Sequence, residues 1–300
     1  MWAHLSEELQ KGNQRALARA ISLVENEVPG YEELLCSLPA SNIPVVGITG
    51  PPGAGKSTLV DALIGELVKQ GKKVGVCCVD PSSPFNLGAL LGDRIRMSNW
   101  YNHPDVFIRS LASRGSLGGL HPKIIEITDL FRAMPLDLVV VETVGVGQSE
   151  VEIAGLADVT VVTVVPEAGD EVQTMKAGLM EIADIFVVNK SDRPDADLFV
   201  KNLKAMLMAG AALCGHAVPV IKTIASRQEG IHELMKAINE LTGGHQSSSR
   251  QSRQGWLLAE KAYHLIQQRR MKDVNKADLK MKIDKAGKNF NLYRFIQNYV

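Results

Sequence analysis

The residues Gly50-Pro51-Pro52-Gly53-Ala54-Gly55-Lys56-Ser57-Thr58 carry the spacing G-x-x-x-x-G-K-S. Glycines at these places let the backbone turn tightly and aim its N–H groups at one point, which is what a phosphate needs. An apolar run from Ile43 to Thr49 precedes the loop, and a helix-like pattern from Thr58 to Lys69 follows it. A strand would therefore deliver the loop, and the positive end of a helix would face the bound anion. Lys56 is then placed to reach the β- and γ-phosphates, and the Ser57 hydroxyl to bind magnesium. A glycine-rich turn without a ligand is the plainer alternative. The flanking strand and helix, with every fixed position filled, favour the phosphate.

A second chemical signal is Asn189-Lys190-Ser191-Asp192, after the apolar run Ile185–Val188 and about 130 residues past the glycine loop. Guanine presents N1–H and an exocyclic amino group side by side, and the Asp192 carboxylate can accept both. Adenine has no such pair on that edge and would leave the charge without partners, a cost of several kcal/mol in order of magnitude. Asn189 would hold the loop and the N7 side of the base, and the Lys190 stem would lie over the ring. Four letters alone match a turn equally well; their place after a late strand makes them a guanine site, hence GTP or GDP.

A third signal is Glu142-Thr143-Val144-Gly145, after the run Leu138–Val141. Beside a phosphate loop, the acid serves magnesium, usually through water, and the Gly145 N–H contacts the terminal phosphate. Capping of the next helix is the alternative for Glu142. Loss of the γ-phosphate would free Val146–Glu150, a candidate switch. Val146 stands where many signalling enzymes of this kind orient water with glutamine, so unaided hydrolysis is expected to be slow, with Gln148 and Glu150 as substitutes. Asp80, ahead of Pro81-Ser82-Ser83-Pro84, ends another strand pattern, and Asp93, Arg94 and Arg96 sit in a polar stretch. These fit a first switch or an ordinary surface loop equally. Cys77 and Cys78 would point to opposite faces of a strand, so they cannot chelate one ion and are read as packing.

Strand patterns recur at Val45–Thr49, Lys73–Val79, Val106–Ser110, Leu136–Val141, Val159–Val164, Ile185–Val188 and Val218–Thr223. Helical stretches alternate with them, among them Pro122–Met134, Asp195–Met208 and Gly230–Leu241. Near-continuous Val/Ile runs between helices predict an α/β fold with a mostly parallel sheet covered on both faces. The chemical residues all fall after strands, where such folds bind ligands. Residues 1–40 form a helical leader in this reading, with one amphipathic helix over 5–27 and a short one over Tyr31–Leu38. Residues 41–243 form the nucleotide domain, and residues 244–300 a linker and helical C-terminal arm. From Arg250 onward there are twelve basic and four acidic side chains. Apolar positions such as Trp256, Leu257, Leu258, Tyr263 and Ile266 suit either dimerisation or partner docking, or a helical hairpin packed on itself.

The whole chain of 300 residues balances 33 Lys and Arg against 33 Asp and Glu, so no overall field recruits nucleic acid or a membrane. Four cysteines without a paired framework fit a reducing compartment. No secretory signal and no run of about 18 apolar residues is visible, and a cytoplasmic protein is the expectation.

Longer strings carry a resemblance. LSEELQKGNQRALARAISLVE at 5–25, GPPGAGKST at 50–58, VDPSSP at 79–84, LGDRIRM at 91–97, FIRS and SRGSLGGL within 107–120, VVETVGVGQSE at 140–150 and NKSD at 189–192 resemble the methylmalonyl-CoA mutase-associated GTPases, the MeaB/ArgK/MMAA group. The resemblance spans roughly residues 5 to 243. It implies a GTP-hydrolysing chaperone that gates adenosylcobalamin delivery to an acyl-CoA mutase and protects it. It also implies a homodimer joined by C-terminal helices. By the same resemblance Asp80, Asp93 and Glu142 surround magnesium, Arg96 lies near the phosphates, and Val144–Glu150 is the second switch. Thr223-Ile224-Ala225 stands where the family has a Ser-Ala pair, and the Ala225 N–H is assigned to guanine O6. Two alternatives remain. One is a kinase linked to basic amino-acid transport, against which stands the lack of an acceptor signature. The other is a metal-centre assembly GTPase, against which stands the lack of a Cys/His tract.

Overall fold

Strands made of uninterrupted Val and Ile are stable only when helices cover both faces. The computed structural model describes residues 2–80, 97–113, 120–143, 145, 149–168, 180, 182–214, 218–243, 248–271, 274–286 and 295. Within them lie β1 (Val45–Thr49), β2 (Val74–Asp80), β3 (Val106–Ala112), β4 (Leu138–Glu142), β5 (Val159–Val164), β6 (Ile185–Val188) and β7 (Val220–Lys222). They form one sheet in the order β3-β2-β4-β1-β5-β6-β7, and every pairing is parallel. The expected strands are present, and three of them match residue for residue. Because β1 pairs with β4 on one side and β5 on the other, the chain reverses its direction of travel across the sheet there. Such a switch point opens a crevice at the strand ends.

Successive side chains of a strand serve opposite faces. Val45, Cys77, Val139 and Val141 pack into one core, and Val46, Ile48, Cys78 and Val140 into another. The second core is closed by α4 (Lys56–Lys69) and α8 (Ile231–Gly243). The first is closed by α5 (Ile124–Arg132), α6 (Ser149–Leu156) and the leader. Gly47 of β1 lets α6 sit close: a Cβ there would lie 2.4 Å from Ile153 Cγ1. A third core joins β5 and β6 to α7 (Ala196–Cys214).

The leader differs from the single helix expected over 5–27. It forms α1 (Trp2–Gln10) and α2 (Gln14–Glu25), followed by α3 (Tyr31–Cys36). The break falls at Gly12, whose φ of 83° suits glycine, and at Asn13, whose side chain accepts hydrogen bonds from Arg15 N and Ala16 N. Such a cap is worth about 1 kcal/mol and starts a new helix. The α2 face of Ala16, Leu17, Ala20, Ile21 and Val24 is buried in the first core. Gln14 Nε2 donates to Pro104 O and Val106 O beside the edge strand β3. Arg109 of β3 pairs with Glu25.

The described chain divides into units Met1–Arg250 and Gln251–Val300. The stretch expected to be a linker near Gly243 differs in part, since Ser248 and Ser249 open α9 (Ser248–Arg270). The second unit carries the rest of α9, and α10 (Lys276–Ala286). It leaves Trp256, Leu258, Tyr263 and Ile266 exposed. Among the described residues no helix is long and apolar enough to cross a membrane.

Candidate functional site

The glycine loop leaves β1 at Thr49 and enters α4 at Lys56, two residues before the helical pattern expected from Thr58. Gly50 has φ 137°, and a Cβ there would lie 2.0 Å from Thr163 O, so no other residue fits without moving β5. Ala54 N donates to Pro51 O, which closes the turn over Pro52 and Gly53. Lys56 and Ser57 are both buried, although polar. Lys56 Nζ donates to Gly50 O at 3.0 Å and to Pro51 O at 3.2 Å, so its charge is held over the loop. Thr58 follows in the first turn of α4.

The neighbouring strands bring acids to the same place. Ser57 Oγ donates to Glu142 Oε1 at 2.7 Å. Cys78 is in register with Glu142, which puts Asp80 two residues further along β2 on the same side of the sheet edge. Asp80 is buried, and its carbonyl accepts from Ser113 N. Beyond Glu142, the Thr143 hydroxyl meets that of Thr49 at 2.9 Å. Gly145 has φ 80° and lies against the loop: a Cβ would come within 2.3 Å of Lys56 Nζ and 2.4 Å of Gly50 O. The structure thus gathers Gly50–Thr58, Asp80, Glu142 and Gly145. Asp93, Arg96, Val144 and 146–148 lie outside the described residues.

The guanine-type loop joins this group through Asn189. Its Nδ2 donates to Ala54 O at 2.9 Å, while its Oδ1 accepts from Thr223 Oγ1 and Ala225 N, each at 3.1 Å. Lys190, at φ 56°, donates from Nζ to Gly53 O at 2.7 Å. Lys56 and Asp192 are therefore parts of one assembly rather than of opposite sides of the molecule. The Ala225 N–H, expected to meet guanine O6, is donated here to Asn189 Oδ1 at 3.1 Å.

Several contacts carried no spacing signal in the sequence. Arg227, on the short turn Ala225–Arg227, places Nη2 3.6 Å from Asp192 Oδ2. Arg193, next to Asp192, pairs with Glu167. Burial pushes the Glu167 carboxyl up, but a hydrogen bond from its own backbone and the Arg193 guanidinium outweigh that and hold it below its usual range. The Thr49–Thr143 pair unites residues that are far apart in the chain, and nothing in either local string marks it.

The family model described as methylmalonyl-CoA mutase-associated GTPase MeaB matches residues 17–279. A putative GTPase of Pyrococcus abyssi is 51% identical over 241 residues, which is 79% of this chain and 74% of that protein. The GTPase ArgK of Escherichia coli is 42% identical over 190 residues, 61% of this chain and 57% of its own. A solved structure described as LAO/AO transport system kinase superposes with a TM-score of 0.68 at 27% identity, covering 99% of this chain and 96% of that one. The match runs from the leader through the nucleotide loops and into the C-terminal helices, and the glycine loop, Glu142 and the Asn189 loop meet at the strand ends; the chain belongs to the methylmalonyl-CoA mutase-associated GTPase family and is a P-loop GTPase.

Proposed function

We propose that this GTPase is a chaperone of an adenosylcobalamin-dependent acyl-CoA mutase, such as methylmalonyl-CoA mutase, and that it gates cobalamin delivery to that client and protects it. The observation that carries the reading is the family match over residues 17–279, which takes in the leader and most of the arm as well as the nucleotide core. In this reading the loop amides from Gly50 to Thr58 cradle the phosphates. Lys56 exchanges the Gly50 and Pro51 carbonyls for β- and γ-phosphate oxygens. Asp192 accepts the two guanine donors, and Gly145 reads the terminal phosphate through its N–H.

The donor set fits magnesium. Ser57 and Glu142 present a hydroxyl and a carboxylate in mutual contact, and Asp80 adds a buried carboxylate from the next strand. Hard oxygen ligands of this kind suit that ion, with Asp93 as a further ligand from the resemblance. Magnesium, when bound, would neutralise charge on the phosphate oxygens. Arg96 would add a second positive group beside them. With valine at 146 in place of a water-orienting glutamine, hydrolysis is slow until the client completes the site.

The direct experiment is capture of a purified acyl-CoA mutase by this protein, with phosphate release measured alone and with the mutase. Binding together with faster release supports the chaperone reading. Absence of both, with mutases of several acyl-CoA classes, refutes it. A homodimer through the C-terminal unit is part of the proposal, supported by exposed Trp256, Leu258, Tyr263 and Ile266. Light scattering of Trp256→Glu should then give half the wild-type mass. The likeness to a structure described as a transport system kinase favours a second reading, transfer of phosphate to a protein. With γ-labelled GTP, label on protein supports transfer, whereas free phosphate alone supports hydrolysis.

A further inference from the structure

Two threonines to which the motifs assign no chemistry face each other at the ends of β1 and β4. Thr49 is the last residue of β1, immediately before the phosphate loop. Thr143 follows Glu142 at the end of β4, two residues before Gly145. Both are buried, Thr49 completely, and their hydroxyl oxygens are 2.9 Å apart. Neither side chain makes another hydrogen bond among the described residues. Thr143 N also donates to Ile48 O at 3.0 Å, so the backbone and the side chains fasten the same two strand ends.

The pair sits between two functional parts that touch just beyond it. On the β1 side the chain becomes Gly50, whose carbonyl accepts from Lys56. On the β4 side it becomes Gly145, which leaves no room for a Cβ between itself, Lys56 Nζ and Gly50 O. Backbone pairing of β1 with β4 runs only as far as Ile48 with Glu142. Past that register the hydroxyl bond is a side-chain tie between the strand end that leads into the phosphate loop and the one that leads to Gly145, beside the Ser57–Glu142 bond.

We infer that Thr49 and Thr143 are positioning residues that hold the Gly145 turn over the γ-phosphate site, and so set the preference for GTP over GDP. This rests on the proposed role of Gly145 as γ-phosphate sensor. GDP binding uses the loop amides and the base site, neither of which needs the tie. Only the triphosphate engages the Gly145 turn. Replacing either threonine by valine keeps the shape, removes the bond and strands the other hydroxyl in a buried place.

The test uses the full chain. Affinities for GDP and for a non-hydrolysable GTP analogue are measured by calorimetry for Thr49→Val, Thr143→Val, the double variant, Thr143→Ser and Gly145→Ala. Each valine variant should weaken the GTP analogue by about five- to tenfold relative to GDP, the size of one buried hydrogen bond. The double variant should lose no more than either single one, because both remove the same bond. Thr143→Ser should restore the preference. Equal weakening of both nucleotides, or an unchanged ratio, overturns the inference and leaves the pair a packing feature. Gly145→Ala separates the two levels. If it abolishes the preference while the valine variants keep it, only this inference fails. If it too keeps the preference, the sensor role itself is wrong.

Discussion

Replacing Asn189 by alanine should undo the nucleotide site as a unit. Asn189 is 2% exposed and makes three hydrogen bonds to three different segments, the phosphate loop at Ala54, the end of β7 at Thr223 and the following turn at Ala225. All three partners are buried. Each bond is worth about 1 kcal/mol net, so the variant should lose about 3 kcal/mol. The Thr223 hydroxyl can rotate toward another acceptor, whereas the Ala54 carbonyl and the Ala225 N–H are fixed by the backbone, so the loss should not fall below about 2 kcal/mol. For a unit of this size, that lowers the melting temperature by about 6–12 °C. Thermal unfolding without nucleotide reads this directly. Calorimetry should show GDP and the GTP analogue weakened together, since the tie joins the phosphate and base halves. Asn189→Asp keeps the acceptor but turns a buried carboxylate oxygen toward the Ala54 carbonyl, so it should destabilise at least as much as alanine. A fall of less than about 2 °C with GDP affinity within about twofold of wild type would refute the idea that Asn189 holds the site together.

The remaining predictions concern individual groups. Asp192→Asn should lose GTP and gain xanthosine nucleotide, because its amide N–H then faces the carbonyl of that base; unchanged GTP binding by calorimetry rejects the base assignment. Ser57→Ala and Glu142→Gln should each remove most of the magnesium dependence of GTP affinity and spare binding of GDP measured with chelator; retained dependence in both would place the ion elsewhere. The Glu167 carboxyl is held below its ordinary 4.5, so its pairing with Arg193 stabilises the fold above that pH and is lost as pH falls through the depressed value. Glu167 is half exposed, so the gain is under about 1 kcal/mol. Glu167→Gln should flatten that part of an acid unfolding curve, and an identical curve would dismiss the pair as a stabilising contact.

The sheet was readable because its strands are near-pure Val and Ile and its helices keep their period. Periodicity does not register a break that costs little hydrophobic pattern, so the leader looked like one helix; the turn at Gly12 and the Asn13 cap are local backbone events inside an apolar rhythm. The phosphate and base loops were readable because each puts its chemistry on consecutive residues. Arg227 beside Asp192, Thr49 beside Thr143 and Asn189 beside Ala225 were not, because each joins segments whose meeting depends on strand order. The Ala225 N–H shows the limit most clearly. Its hydrogen is donated to a side chain 36 positions away, a meeting that no local string announces.

Cys77 and Cys78 offer the molecule a pair of internal reporters. Cys77 faces the layer made by the leader, α5 and α6, and Cys78 faces the layer made by α4 and α8. Neither thiol meets solvent, and burial pushes that of Cys77 well above its usual range, so alkylation waits for the covering helices to lift. Two adjacent sulfurs thus keep separate time for the two sides of the sheet, and a mass spectrum of slowly labelled protein would say which roof opens first.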